Sequence, residues 1–222
     1  MLRNWIKSNR GFVVLLLCFG IFRTAVADWN PIPSGSMRPT LLEGDVVFVN
    51  RLAYDVKLPL TDVVLLPLGE PQRGDVVTFS SPQDGTRLIK RIAAVPGDRV
   101  EMRNEVLYIN GQAAQYDAPE VVQEAVGVGA TVQATRWTER LGGHERRVQW
   151  LHGVPARSTF DAIDVPAGQY LMLGDNRDDS VDSRYIGLVP RHLLIGQARR
   201  VLVSADILGH WAPRLQRMGL PL

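Results

Sequence analysis

Ile32-Pro-Ser-Gly-Ser-Met-Arg-Pro-Thr-Leu41 holds two hydroxyls among prolines and ends on an apolar residue. Pro31, Pro33 and Pro39 restrict φ and bias the residues before them towards extended backbone. Gly35 lets the chain approach another segment closely or take φ > 0. Ser36 therefore stands on a stiff bend. Pro, Ser and Gly at this density also mark ordinary surface turns. A hydroxyl held this way becomes a nucleophile only where a base takes its proton, so the reading of the loop depends on what the rest of the chain supplies.

Downstream, Gly44-Asp-Val-Val-Phe-Val-Asn50 reads as a turn feeding a β-strand, and Gly74-Asp-Val-Val-Thr-Phe79 repeats that grammar. Leu88 to Val95, Arg99 to Ile109 and Gln169 to Leu173 add further β-branched or apolar runs. Turn signals at 44, 74, 96, 110 and 174 punctuate them. The pattern predicts a mainly β fold, a barrel-like domain of coiled sheets. Residues 119–125 read as helical. The stretch 112–160 is more polar, is broken by Gly127-Val-Gly129, and reads as a β insertion or smaller second domain. A core built from 28–111 and 161–222 is the resulting expectation.

Upstream, Arg3, Lys7 and Arg10 make residues 1–10 a basic lead with no acid, and Gly11 to Phe22 is an uninterrupted apolar run. Two readings stand side by side. A basic lead, a short apolar run and Ala25-Val-Ala27 describe a cleavable secretory signal. Residues 11–27 also reach the lower limit for a single transmembrane helix, with Arg23 able to snorkel to the interface. Either reading keeps the basic lead in the cytoplasm and carries residues 28–222 across the bilayer.

The formal net charge of the whole chain is +2, and the first ten residues carry +3 of it, which leaves the remainder at −1. That balance argues against a nucleic-acid binder. Cys18 is the only cysteine, so an internal disulfide, a thiolate cluster and a redox pair are excluded. His144, His152, His192 and His210 lack zinc spacing. No cofactor and no metal are expected.

Lys90 lies among Leu88, Ile89 and Ile92. If it faces the interior, burial lowers its affinity for a proton and makes it a candidate general base for Ser36. If it faces outward, it is a solvated residue beside Arg91. Neighbours on a strand alternate in direction, so an inward Lys90 sends Arg91 outward or to a sheet edge. Gly174-Asp-Asn-Arg-Asp-Asp-Ser-Val-Asp-Ser-Arg184 fails as a calcium loop, because neither register puts Gly at the sixth position and Glu at the twelfth. Its alternating Asp and Arg suit a loop locked by its own ion pairs, with Ser180 free to orient an amine.

Taken together, Pro33-Ser-Gly-Ser-Met-x-Pro-Thr-Leu41, Gly74-Asp-Val-Val-x-Phe79, Ile89-Lys-Arg-x-x-x-x-Pro-Gly-Asp98 and Gly174-Asp-Asn-Arg-Asp-x-Ser-x-Asp-Ser-Arg184 resemble, in order, the motif set of bacterial type I signal peptidases. The resemblance covers most of 30–110 and 165–222 and is weak across 112–160. It implies a membrane-bound serine endopeptidase that removes signal peptides from exported preproteins, after small residues one and three positions before the cut. Ser36 would be the nucleophile and Lys90 the general base. The Ser36 backbone N–H and the Ser34 hydroxyl would form the oxyanion hole, and Ser180 would orient the lysine. Arg91, Asp175, Asp182 and Arg184 would brace the site by ion pairs. Ile32, Pro33, Met37, Leu41, Leu88 and Ile89 would line the substrate pockets.

The resemblance further implies residence in the bacterial inner membrane as a single-pass protein with its catalytic domain on the periplasmic side. Its partners would be signal peptides, the lipid bilayer and, in passing, the export machinery. Three departures stand out: one apolar segment precedes the serine where many Gram-negative members have two, Asn30 takes a position that is commonly apolar, and Leu88 replaces a common aromatic residue. Ala25-Val-Ala27 resembles the substrate motif of such an enzyme, so self-cleavage in trans is an expectation. Two rivals remain. A self-cleaving repressor would need a helix-turn-helix where residues 1–30 offer an apolar segment. A non-catalytic tethered β module that binds peptides or headgroups could draw on the interleaved Arg and Trp of 136–150.

Overall fold

The computed structural model describes residues 5, 8–59, 61, 63–127 and 129–222, so Arg3 and Lys7 of the basic lead, and Val128, lie outside it. Helix α1 (Arg10–Ala25) is followed by β1 (Ala27–Pro31), β2 (Asp45–Asn50), β3 (Asp55–Lys57) and β4 (Val64–Pro67). Next come β5 (Val76–Ser80), β6 (Arg87–Ala94), β7 (Arg99–Arg103), β8 (Val106–Ile109) and β9 (Gln112–Ala113). Three long strands follow: β10 (Gln115–Gly127), β11 (Ala130–Leu141) and β12 (His144–Leu151). The chain closes with β13 (Phe160–Asp164), β14 (Gln169–Leu173), the single turn α2 (Ser183–Ile186), β15 (Val189–Pro190) and β16 (Leu194–Ser204).

A seven-stranded sheet in the order β1-β2-β16-β5-β6-β14-β15 is the frame of the molecule. A four-stranded sheet, β13-β7-β8-β9, and a three-stranded sheet, β10-β11-β12, flank it, and β3-β4 forms a separate hairpin. All the strand pairings within these sheets are antiparallel. Glycine opens β2 for a steric reason. Gly44 has φ +87°, and a Cβ there would lie 2.1 Å from the Ala205 carbonyl oxygen.

Residues 119–125 are strand, not helix. Val121, Val122 and Ala125 pair with Thr135, Ala134 and Thr131 across the β10-β11 hairpin, and the irregularity at Pro119 is absorbed by a register shift between Asp117 and Glu120. β-Branched side chains on a paired ribbon outweigh the helical spacing of a short segment.

The N-terminal helix is shorter than the apolar segment in sequence, since it stops at Ala25 and Ala27 already belongs to β1. Among the described residues no helix is long and apolar enough to cross a membrane. None of its residues is buried against protein. The junction after it is another matter. Ala27 and Asp28 are buried and pair with Asn50 and Val49 of β2. The bond between them lies in a sheet, so the expected self-cleavage at this site would require β1 to be peeled from the fold.

Three apolar clusters fill the interior. One of them joins Ile32, Met37 and Leu41 of the nucleophile loop to Val47 and Val49 of β2, Val76 of β5 and Val201 of β16. β6 is central to the large sheet, between β5 and β14, and Lys90 through Ala94 are all buried.

Candidate active site

The bend at 34–41 folds as anticipated into a tight structure. Ser34 is extended (φ −137°, ψ 159°) and leads into a 3₁₀ turn over Gly35–Met37. Arg38 N–H donates to the Gly35 carbonyl at 3.0 Å and Leu41 N–H to the Met37 carbonyl at 2.9 Å. Met37 and Leu41 point into the core with no exposed surface. This departs from their expected place as pocket walls. Large apolar side chains beside a polar bend anchor it by burial, and the hydroxyl of Ser36 is left on the opposite side.

Lys90 is 3% exposed, and its Nζ donates to Ser36 Oγ at 2.7 Å and to the Ile89 carbonyl at 3.0 Å. Burial pushes its ammonium down to about 8, against the opposing pull of Asp182, Asp175 and Asp179. Arg91 is buried as well, on a strand internal to the sheet, which corrects the expectation that an inward Lys90 would send it outward or to a sheet edge. The two do alternate, but β6 is covered on both faces. Arg91 donates from Nε and Nη2 to the two oxygens of Asp175, at 2.9 and 2.7 Å.

That carboxylate opens the 174–184 loop, which packs directly against the serine turn. Asn176 N–H donates to the Ser36 carbonyl at 3.1 Å, and its side-chain amide to the Gly35 carbonyl at 3.1 Å. Thr40 Oγ1 donates to Asp175 Oδ2 at 2.5 Å. Asp182 accepts from Gly174 N–H at 3.0 Å and from Arg184 Nε and Nη2 at 2.8 and 2.9 Å. Gly174 is where the loop meets the turn most closely, because a Cβ there would sit 2.2 Å from Ser180 Oγ and 2.6 Å from the Ser36 carbonyl oxygen.

The three-stranded sheet clamps this loop from outside. Gln149 N–H donates to the Asp175 carbonyl and Arg177 N–H to the Gln149 carbonyl, each at 2.9 Å. Arg177 is fully buried and donates to Glu139 Oε2 at 2.5 Å, while Arg146 Nε donates to Glu139 Oε1 at 2.5 Å. Burial alone would raise the Glu139 carboxyl, but Arg177 and Arg146 hold it down to about 2. Arg38, two residues after Ser36, pairs with Glu43 at 2.7 Å and with Glu124 of β10, which also accepts from Arg136. Glu124, Glu139, Gln149 and Asn176 were not singled out by the sequence. Their partners lie on other strands or loops and match no local motif.

Ser34, Ser36, Leu88, Lys90, Ser180 and Tyr185 line an open cleft of about 520 Å³. Pro33 and Ser34 are exposed, Leu88 and Ile89 half-buried, and Ile32 buried beneath the loop. Ser180 reaches the cleft, yet its buried hydroxyl has no hydrogen-bond partner, so the expected bond to the lysine is not formed. No group of acidic, His and Cys side chains among the described residues could hold a metal ion.

A serine hydroxyl in contact with a buried amine, on the floor of an open cleft in a mainly β protein, has the parts of a serine-type hydrolase. Comparison with known proteins narrows this. The family profile described as signal peptidase, peptidase S26, matches residues 2–203. The signal peptidase I of Pseudomonas aeruginosa is 36% identical over 211 residues, covering 90% of this chain and 72% of that protein. That of Pseudomonas fluorescens is 34% identical, covering 97% and 78%. A crystal structure of a signal peptidase I from Enterococcus faecalis is 30% identical and covers 59% of this chain and 97% of that one, with a TM-score of 0.34. The chain belongs to the signal peptidase family, peptidase S26, and is a serine endopeptidase that removes signal peptides.

Proposed function

We propose that Ser36 and Lys90 form the catalytic dyad. Lys90 Nζ, uncharged in the reactive form, accepts the Ser36 proton as Oγ attacks the scissile carbonyl. It then returns that proton to the leaving amine, and water repeats the sequence on the acyl-enzyme. The Ser36 backbone N–H and the Ser34 hydroxyl receive the oxyanion. Ser180 steadies the lysine through a bond to Nζ that forms when substrate binds, beside the Oγ contact that carries the proton. The Arg91–Asp175 and Arg184–Asp182 pairs hold the 174–184 loop against the serine turn. Leu88, Ile89 and Pro33 border the positions that take small side chains, with Ile32, Met37 and Leu41 supporting them from below. Residues 28–111 and 161–222 act as the catalytic core and 112–160 as an appended β subdomain.

The single observation that carries this reading is the 2.7 Å approach of Lys90 Nζ to Ser36 Oγ in a setting that lowers the lysine's proton affinity to about 8. For location, we infer a single-pass anchor with the catalytic domain on the periplasmic side of the inner membrane. A helix that is apolar on nearly every side and buries none of its residues against protein suits lipid. The test is processing of a preprotein with an Ala-x-Ala site by purified full-length enzyme. Ser36→Ala and Lys90→Ala should abolish cleavage and Ser34→Ala should lower it by roughly 10²–10³, whereas wild-type turnover by either dyad variant contradicts the assignment.

A further inference from the structure

A second cavity, of about 530 Å³, lies between the three-stranded sheet, the β7-β8 turn and the 174–184 loop. None of the roles above uses it. Trp137, Trp150 and Tyr116 line it, together with Glu105, Asp178 and His152. The strand register explains why the aromatics meet: Thr135 is paired with Trp150, Trp137 lies two residues on, and Tyr116 is paired with Glu139 two residues further. All of them therefore share one face of the sheet. Tyr116 and Trp150 meet edge to face, with ring centroids 5.2 Å apart.

The charge in this cavity is one-sided. Its lining holds two carboxylates and no lysine or arginine among the described residues. Arg177 lies 5.5 Å from the Trp150 ring, but it is buried and donates to Glu139. Asp178 Oδ2 accepts one bond, from Leu151 N–H at 2.8 Å. Burial and the nearby Glu105 charge push the Asp178 carboxyl up, against the opposing pull of Leu151 N–H, Arg184 and Arg177. Aromatic faces with carboxylates at their rim attract a compact cation. Asp178 also lines the cleft that holds Ser36 and Lys90, so the two spaces share a wall.

We propose that this aromatic-acidic cavity is a substrate subsite that takes a basic side chain of the polypeptide being cut, at a position a few residues from the scissile bond. The inference rests on the peptidase reading of the adjoining cleft. A lipid headgroup amine would satisfy the same chemistry, but the wall shared with the scissile site favours the polypeptide.

The test uses full-length enzyme and soluble peptides that carry one small-x-small cleavage site. A single lysine is walked through the four positions on either side, each peptide matched by its norleucine counterpart. At one position lysine should lower KM about 10-fold relative to norleucine with kcat unchanged. Glu105→Gln and Trp137→Ala should each erase that preference, so that the lysine and norleucine peptides have equal KM, and Trp137→Phe, which keeps an aromatic face, should retain it. A preference below twofold at every position overturns the subsite, as does one that survives both substitutions or one that appears only when phosphatidylethanolamine is added. Failure to cut any peptide overturns the peptidase reading, and this inference with it.

Discussion

Gly174 has no side chain because Ser180 occupies the space one would need. A methyl group on Gly174 would fall 2.2 Å from Ser180 Oγ and 2.6 Å from the carbonyl oxygen of Ser36. The serine turn and the 174–184 loop are thus in contact at a residue with no room for a Cβ. Gly174→Ala must separate them by more than an ångström. Its expected result is a loss of kcat of at least ~10²-fold with a lower melting temperature, checked by steady-state cleavage and thermal melting of the same preparation.

Ser180 is the converse case, since its hydroxyl is buried without a partner. An unsatisfied polar atom costs stability, so Ser180→Ala should melt no lower than the parent. Its kcat should nevertheless fall about 10-fold or more if, as proposed, the hydroxyl bonds Lys90 Nζ in the substrate complex while Nζ keeps its contact with Ser36. Unchanged kcat in a normally folded Ser180→Ala protein would show that the hydroxyl has no role in orienting the amine.

Much of the fold was legible locally. Asp45–Asn50, Val76–Ser80, Arg87–Ala94 and Gln169–Leu173 are strands where β-branched runs follow Gly-Asp or precede turn residues, and Arg99 to Ile109 resolves into the β7-β8 hairpin. Residues 119–125 differ from expectation because the Glu, Val, Gln and Ala that follow Pro119 suit either period, and only pairing with β11 decides between them. The serine, the lysine and the loop acids could be read because their spacing matches a known motif set. Glu124 and Glu139 could not, since Arg136 and Arg146 on the neighbouring strands form no motif with them, and Arg38 and Arg177 reach them only when the separate sheet docks on the site. Nor does alternation along β6 reveal that Lys90 and Arg91 are both buried, so the placing of Arg91 outward or at a sheet edge does not hold.

Glu139 offers a stability test away from the reaction. Its folded carboxyl sits near 2, below the ordinary value of 4.5. Its contribution is therefore fully present above pH 4.5 and is lost as pH falls towards 2. Glu139→Gln would leave Arg177 buried without its counter-charge, at a cost of about 3 kcal/mol. Urea unfolding at pH 7 and pH 3 should show a large gap between parent and variant at neutral pH that narrows in acid.

Lys90 destabilises at neutral pH where Glu139 stabilises, although in both cases stability rises with pH. Its folded value of about 8 lies below the 10.5 of an exposed lysine. The unfolded chain therefore binds more protons between those limits, and stability rises with pH across that window. Below pH 8 the cost of burying the amine is fully present. Lys90→Met should accordingly be inactive yet more stable than the parent at pH 7, by about 3 kcal/mol, with the gain fading by pH 10.5. Equal stability of the two proteins at both pH values would mean that the amine is well solvated.

The pH dependence of kcat/KM on a peptide substrate between pH 6 and 10 tests the central claim most directly, because it reports the ionisation of the free enzyme's base. A neutral Lys90 acting on Ser36 predicts activity that rises with unit slope and levels off around an apparent value of about 8. A limb centred near 6.5, as for a histidine base, or a profile flat through pH 8, would contradict it.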